Sequence, residues 1–298
     1  MKKIRTMFLC ILAIMFIFPL AAQADMGPKP SVVIDFKGLE GETYYTTLLS
    51  RVESTGPYSV LNFNDGIYAH YQEGDEDYEI FLKFNEYQDV DGYYFLQFFQ
   101  DCTQTQRFSW TYYPPQDFKI LLYFPEEDRF LISDKNYERY AFDSYFTAEV
   151  STENLFATAQ GTAEITAEKS YDYPKEALSL IVRIILTLAI ELGIALLFGF
   201  WNRKLFRFIV LVNVVTQIAL NLTLSIADFY SGPIAFVVYY VLLEGMVVVA
   251  EGILYTSYIN RHSAMDIHKW RLWVYALVAN AASFILGVKL AFWIPGIF

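Results

Sequence analysis

Residues 177–200 read ALSLIVRIILTLAIELGIALLFGF, apolar except for Ser179, Arg183, Thr187 and Glu191. A helix needs about 20 such residues to cross the hydrocarbon of a bilayer. Three further runs of similar length follow at 208–227, 234–255 and 272–294. Residues 177–298 therefore read as a four-helix transmembrane bundle. Arg203, Lys204 and Arg207 follow the first run, and Arg261, Lys269 and Arg271 follow the third, whereas 228–233 carries no base. Basic loops stay on the cytoplasmic side. The first and third connections then lie inside, and the segment before the first helix and the C-terminus lie outside.

Upstream, Lys2, Lys3 and Arg5 precede the short apolar stretch 7–20, and Ala22-Gln23-Ala24 has the small-x-small form of a cleavage site. Residues 1–24 thus read as a secretory signal peptide. Cys10 is followed by more apolar residues, which argues against a lipoprotein signal. Cys102 is then alone in the mature chain, so an intrachain disulfide is excluded. The expected location is the plasma membrane, multi-pass, with an exported N-terminal domain.

That domain, 25–150, is chemically unlike the bundle. From Asp25 to Glu176 the net charge is −17, and from Ala177 onward it is +3. An acidic surface without basic stripes argues against nucleic acid as a partner. Segments 31–36, 78–84, 93–99 and 118–124 are rich in β-branched and aromatic residues and read as strands. Asp89-Val90-Asp91-Gly92 reads as a hairpin turn between the second and third. Short strands at this spacing predict an all-β, sandwich-like extracytoplasmic domain. Residues 151–176 lose the apolar pattern and read as a linker or neck.

The polar residues inside the apolar runs are regularly spaced. Residues three, four or seven apart share a helix face. Arg183, Thr187 and Glu191 form one such stripe, and Asn213, Gln217 and Asn221 a second. Tyr240, Glu244, Glu251 and Tyr255 form a third, and Ala276, Asn280, Ser283 and Gly287 a fourth. Four such faces turned inward make a bundle that is polar inside. By position along each run, Glu191, Gln217, Glu244, Asn280 and Ser283 fall near one depth, and Asn213 and Glu251 near a second. A carboxyl group at membrane depth has to be neutral, hydrogen-bonded or paired. Two readings stay open for Glu191, Asn213, Gln217, Asn221, Glu244, Glu251, Asn280 and Ser283: hydrogen-bonded glue between helices, or a polar pocket or proton/cation pathway through Glu244 and Glu251. Arg183 is expected to reach toward the outer interface rather than pair with Glu191, which is about 12 Å away along the axis.

Catalytic chemistry has little support. His70, His262 and His268 lie outside the apolar runs, there is no His-Glu-x-x-His, and no Gly-rich phosphate loop occurs. No cofactor or metal is expected. Asp89-x-Asp91-Gly92 reads as a hairpin turn rather than a calcium loop, because Gln100 stands where an EF-hand needs Glu, and the acidic run 73–77 reads as a solvated loop tip, with weak calcium binding as the alternative. The protein is expected to be a non-enzymatic sensing, binding or structural protein of the envelope, with a small transporter or channel as the alternative. Beyond the bilayer, the expected partner is an extracytoplasmic protein or glycan. Tyr93, Tyr94, Trp110, Tyr112 and Tyr113 are candidates for a stacking platform or for core.

The segments Asp25-Met-Gly-Pro-Lys-Pro-Ser31, Tyr140-Ala-Phe-Asp-Ser-Tyr145 and Ser170-Tyr-Asp-Tyr173, the helix with Glu244 and Glu251, and Asn280-Ala-Ala-Ser-Phe284 carry a resemblance. With them the chain resembles a family of uncharacterised signal-peptide-bearing, four-helix membrane proteins from Gram-positive, Clostridia-like bacteria. The resemblance covers nearly the whole mature chain. It implies this architecture and no particular chemistry.

Overall fold

The computed structural model describes residues 27–60, 71–150, 165–261 and 267–293. The expected signal peptide and cleavage site, and His70 and His262, lie outside the described residues.

Among the described residues, ten strands and one helix make up the N-terminal domain. The strands are β1 (Ser31–Lys37), β2 (Tyr45–Ser50), β3 (Tyr94–Phe95), β4 (Gln100–Asp101), β5 (Arg107–Trp110), β6 (Asp117–Phe124), β7 (Arg129–Ile132), β8 (Tyr137–Glu138), β9 (Asp143–Val150) and β10 (Ile165–Lys169), and the helix is α1 (Tyr78–Glu86). One sheet has the order β10-β9-β1-β5 and the other β3-β2-β6-β7, with β4 on β2 and β8 on β6. Alternation decides the inner faces. Val32, Ile34 and Phe36 of β1 and Phe146, Ala148 and Val150 of β9 meet Phe118, Ile120, Leu122 and Phe124 of β6 in one core shared by both sheets. The odd-numbered face of β6 is covered too: Leu121 and Tyr123 pack with Phe81 and Phe84 of α1. A strand buried on both faces reads as a continuous apolar run, as β6 does.

Several expectations are corrected. Residues 78–84 form a helix, not a strand. Tyr78, Ile80, Leu82 and Phe84 alternate, but Phe81 and Phe84 are the buried pair, and Glu79 in the first turn and Lys83 in the last complement the helix dipole. The 93–99 strand shrinks to Tyr94–Phe95, because Gln97 adopts a φ of 62° and ends the pairing. Asp89–Gly92 is a turn, but it joins α1 to β3 rather than two strands. The proposed neck contains β10, paired antiparallel with β9 from Ile165↔Val150 to Lys169↔Phe146. Its polar outer face, typical of an edge strand, hides it from a hydropathy reading.

Three helices follow: α2 (Tyr173–Leu197), α3 (Arg203–Arg261) and α4 (Lys269–Trp293). Each contains a stretch long and apolar enough to cross a membrane. α2 starts four residues before the expected 177. Asp172 caps it, accepting from the Lys175 amide at 3.0 Å, and Pro174 occupies its first turn. α3 has 59 residues but is broken at Gly232, where φ is 80° and ψ −178°, with Pro233 next. The arms 203–231 and 233–261 fold back on each other. Asn213 bonds Tyr255, Thr216 bonds Glu251, and Phe208 stacks on Tyr258, pairs whose numbers run in opposite directions. Leu211, Val215, Ile218, Leu222, Ile253 and Ile285 point outward. Outward apolar side chains around a polar interior are the arrangement that lipid requires.

The β domain sits on the break in α3. The Phe142 amide donates to the Phe229 carbonyl at 2.8 Å, and the Phe229 ring lies 5.1 Å from Tyr171 and 6.3 Å from Tyr140. Any Cβ at Gly232 would meet the Phe142 ring at 2.6 Å. Gly232→Ala is therefore expected to combine left-handed strain with a clash, lowering stability by at least 1 to 3 kcal/mol, roughly. Thermal unfolding of the purified full chain would read this, and an unchanged midpoint would contradict the docking geometry.

Lys119 is a buried cation held between two carboxylates. Its side chain is 7% exposed, and it donates to Asp89 at 3.0 Å and to Asp91 at 2.5 Å. Burial alone would lower its pKa, but the hydrogen bonds it donates to Asp91 and Asp89 outweigh it, and the net shift is upward. The contribution is thus complete below the unfolded lysine value of about 10.4 and lost as pH rises through the folded value. Lys119→Met leaves Asp89 buried without its cation, and the domain should lose about 3 kcal/mol. Denaturant unfolding of wild type and variant at neutral pH measures it.

Candidate functional site

All eight polar residues singled out from the helical stripes are buried, from 0% exposed at Glu191 and Asn213 to 8% at Glu244. They fall into three groups with different satisfaction.

The middle of the bundle holds Glu191. Its Oε1 accepts from Gln217 Nε2 at 3.0 Å and from Ser283 Oγ at 3.3 Å, while Oε2 has no partner. Asn221 Nδ2 donates to Gln217 Oε1 at 3.2 Å, extending the chain one turn toward the β domain. Three helices are joined here, with Glu191 from α2, Gln217 and Asn221 from the first arm of α3, and Ser283 from α4.

A second group lies toward the end of the bundle remote from the β domain. Glu251 is engaged on both oxygens: Thr216 Oγ1 lies 2.8 Å from Oε1, and Asn280 Nδ2 donates to Oε2 at 2.8 Å. Asn280 thus belongs with Glu251, not with the Glu191 group where its position along the run placed it. Beside them, Tyr255 donates to Asn213 Oδ1, and Asn213 Nδ2 donates to Tyr275 Oη at 3.4 Å. Below this layer, Ala195, Phe200, Leu205, Ile209, Leu272 and Ala276 fill the space. Arg271 closes the end of α2 by donating to the Phe198 carbonyl at 2.6 Å. Close packing continues at Gly252, where a side chain would overlap the Trp273 ring.

Glu244 stands apart from both. Its Oε2 has no hydrogen-bond partner, and it lines a cavity of 280 Å³ between the helices. Arg183, Thr187, Gln217, Asn221 and Tyr240 also reach this cavity, and Leu220, Leu224, Phe236 and Phe284 are among its apolar walls. Arg183 does not pair with Glu191. It donates to Ser225 at 3.1 Å, lies 6.0 Å from the Phe236 ring centre, and leaves its Nε without a partner. The same arginine lines a second cavity of 260 Å³ with Glu176, Ser179, Asp228 and Pro233, next to the β-domain junction. The hollow part of the bundle therefore begins beneath the β domain, passes Arg183 and ends at Glu244 and the Glu191 group.

Sequence reasoning found the buried stripes but missed Thr216, Tyr275 and the Arg183–Ser225 bond. Thr216 is three residues from Asn213, and Tyr275 is four from Ala279 and eight from Ser283, so helical spacing held the signal. Among the described residues no group of three His, Cys, Asp or Glu could hold a metal. The chain matches no family model, no curated protein and no solved structure.

The unequal satisfaction predicts unequal costs. Glu251→Leu removes one partner each from Thr216 and Asn280, which keep backbone acceptors at Val212 and Ala276, and should destabilise the protein by about 1 kcal/mol or more. Glu244→Gln removes no partner and should leave the unfolding midpoint near wild type. Thermal unfolding of both variants in the same detergent checks the order, and a reversed order would contradict the assignment.

Proposed function

We propose that this chain is a four-span plasma-membrane protein that binds and senses rather than catalyses. Its sandwich-like β domain and its C-terminus lie outside, and the two arms of α3 count as separate crossings. The basic residues at 203, 204 and 207 and at 261, 269 and 271 support this orientation. The domain then docks at the outer end of the bundle, directly over the break at Gly232.

One observation carries the reading. Arg183 and Glu244, each with an unpartnered polar atom, line one cavity, and Arg183 also lines the second cavity next to the β-domain junction, while the opposite half of the bundle is filled by side chains. Buried polar atoms without partners are costly, and a ligand that supplies those partners recovers the cost. Such a ligand presents an anionic group to Arg183 and a hydrogen-bond donor or cation to Glu244. Its occupancy is felt by the β domain through Phe229 and Phe142, which connect the cavity wall to β9.

The competing reading is a proton or cation conduit, and Glu244 favours it. Glu251 does not, since both its oxygens are engaged. An arginine along the route also opposes cation passage. Ion and proton flux in proteoliposomes separates the readings. Wild type and Glu244→Gln should show equally low flux. Flux in wild type that vanishes in the folded Glu244→Gln and Glu251→Gln variants would establish a conduit and overturn the sensing reading.

A further inference from the structure

The β domain has a cavity of its own, 440 Å³, whose lining includes Asn85, Tyr87, Gln88, Tyr93, Tyr94 and Gln97. That volume is within the range of about 300–1,000 Å³ usual for small-molecule sites. Gln97 is the unusual member. It is 2% exposed, yet it holds a φ of 62°, a region that non-glycine residues rarely occupy. Its Nε2 is fixed by the Ser59 carbonyl at 3.0 Å, and its Oε1 has no partner. A residue of the cavity wall that combines a strained backbone with a buried, unsatisfied acceptor is a costly arrangement.

The lining chemistry selects the ligand. Asp89 also reaches this cavity, but its carboxylate is taken up by Lys119 at 3.0 Å and by the amides of Asp91 and Tyr93 at 3.2 Å. Lys119 is in turn held by Asp89 and Asp91 and lies 5.0 Å from the Tyr93 ring centre. What remains for a ligand is neutral: carboxamides that donate and accept, one orphan acceptor, and tyrosine rings, with Tyr94 38% exposed. A net charge of −17 over residues 25–176 repels polyanions. Rings that stack on a flat C–H face, combined with amides that satisfy hydroxyl groups, match a pyranose ring.

From these residues we infer that the β domain carries a binding site for a neutral saccharide, with tyrosine faces stacking on the sugar and Gln97 Oε1 accepting from a hydroxyl or acetamido N–H. The site rests on the β domain alone, so its failure leaves the reading of the intramembrane cavity untouched.

The test is isothermal titration of the full chain in nanodiscs, which avoids sugar-based detergents. The probes are cellotetraose, maltotetraose and tetra-N-acetylchitotetraose, with a heparin tetrasaccharide as the anionic control. At least one neutral probe should bind, and both Tyr94→Ala and Asn85→Ala, changes at exposed positions that leave the core intact, should weaken it about tenfold or more. Gln97→Met should weaken it comparably, while Glu244→Gln should bind as wild type does. No binding of any neutral probe up to about 10 mM, a range that spans even weak affinities, would overturn the inference. So would preference for the anionic control, or Tyr94→Ala binding like wild type.

Discussion

A straight 59-residue helix would be about 90 Å long, roughly three times the thickness of a bilayer's hydrocarbon. The chain resolves this at one residue. Gly232 turns with a φ that other residues avoid, and Pro233 starts the returning arm where its missing N–H costs nothing. Because the arms fold back there, residue numbers on the two sides sum to a nearly constant value, and Asn213, Thr216 and Phe208 meet Tyr255, Glu251 and Tyr258. The same break exposes the Phe229 carbonyl, which the Phe142 amide takes up, so the turn in the bundle is also the seat of the β domain. The three-residue join between β10 and α2 adds a second tie and leaves little room for the domain to swing.

Within the bundle, polar side chains do what apolar ones do in a water-soluble core. Lipid tails compete with Leu and Ile as well as neighbouring helices do, so apolar contact alone gives helices little reason to associate. Hydrogen bonds through Glu191 and Glu251 join helices that would otherwise share only van der Waals contact, each worth roughly 1 kcal/mol. The saturation of Glu251 and the unpartnered Oε2 of Glu244 then differ in meaning. One is a completed joint, and the other is an unfinished one facing a cavity.

Much of this was legible in the sequence, for identifiable reasons. Spacing of four residues marked Asn213, Gln217 and Asn221 as one face, and burial follows from that face alone. Partner choice was not legible. Whether Asn280 meets Glu191 or Glu251 depends on the axial offset between helices, which the connections set. In the β domain, β1 and β6 showed as runs of β-branched and aromatic residues. Residues 78–84 satisfied both the strand and the helix period, and only contact with Leu121 and Tyr123 decides for the helix. β10 offers one buried apolar residue, Ile165, too little for a periodicity to register. The positive φ of Gln97, on the wall of the β-domain cavity, is one that no propensity announces.

Orientation is the claim on which the sensing reading depends, and accessible cysteine labelling tests it most directly. The native Cys102 gives little background, since it is buried and its thiol is pushed up to about 12 by that burial. Tyr230→Cys lies beside the α3 break, and Trp201→Cys lies in the connection between α2 and α3, both at exposed positions. In intact cells a membrane-impermeant maleimide should label the Tyr230→Cys variant at once and the Trp201→Cys variant only after permeabilisation. Labelling of Trp201→Cys in intact cells, with Tyr230→Cys protected, would invert the protein and contradict the account.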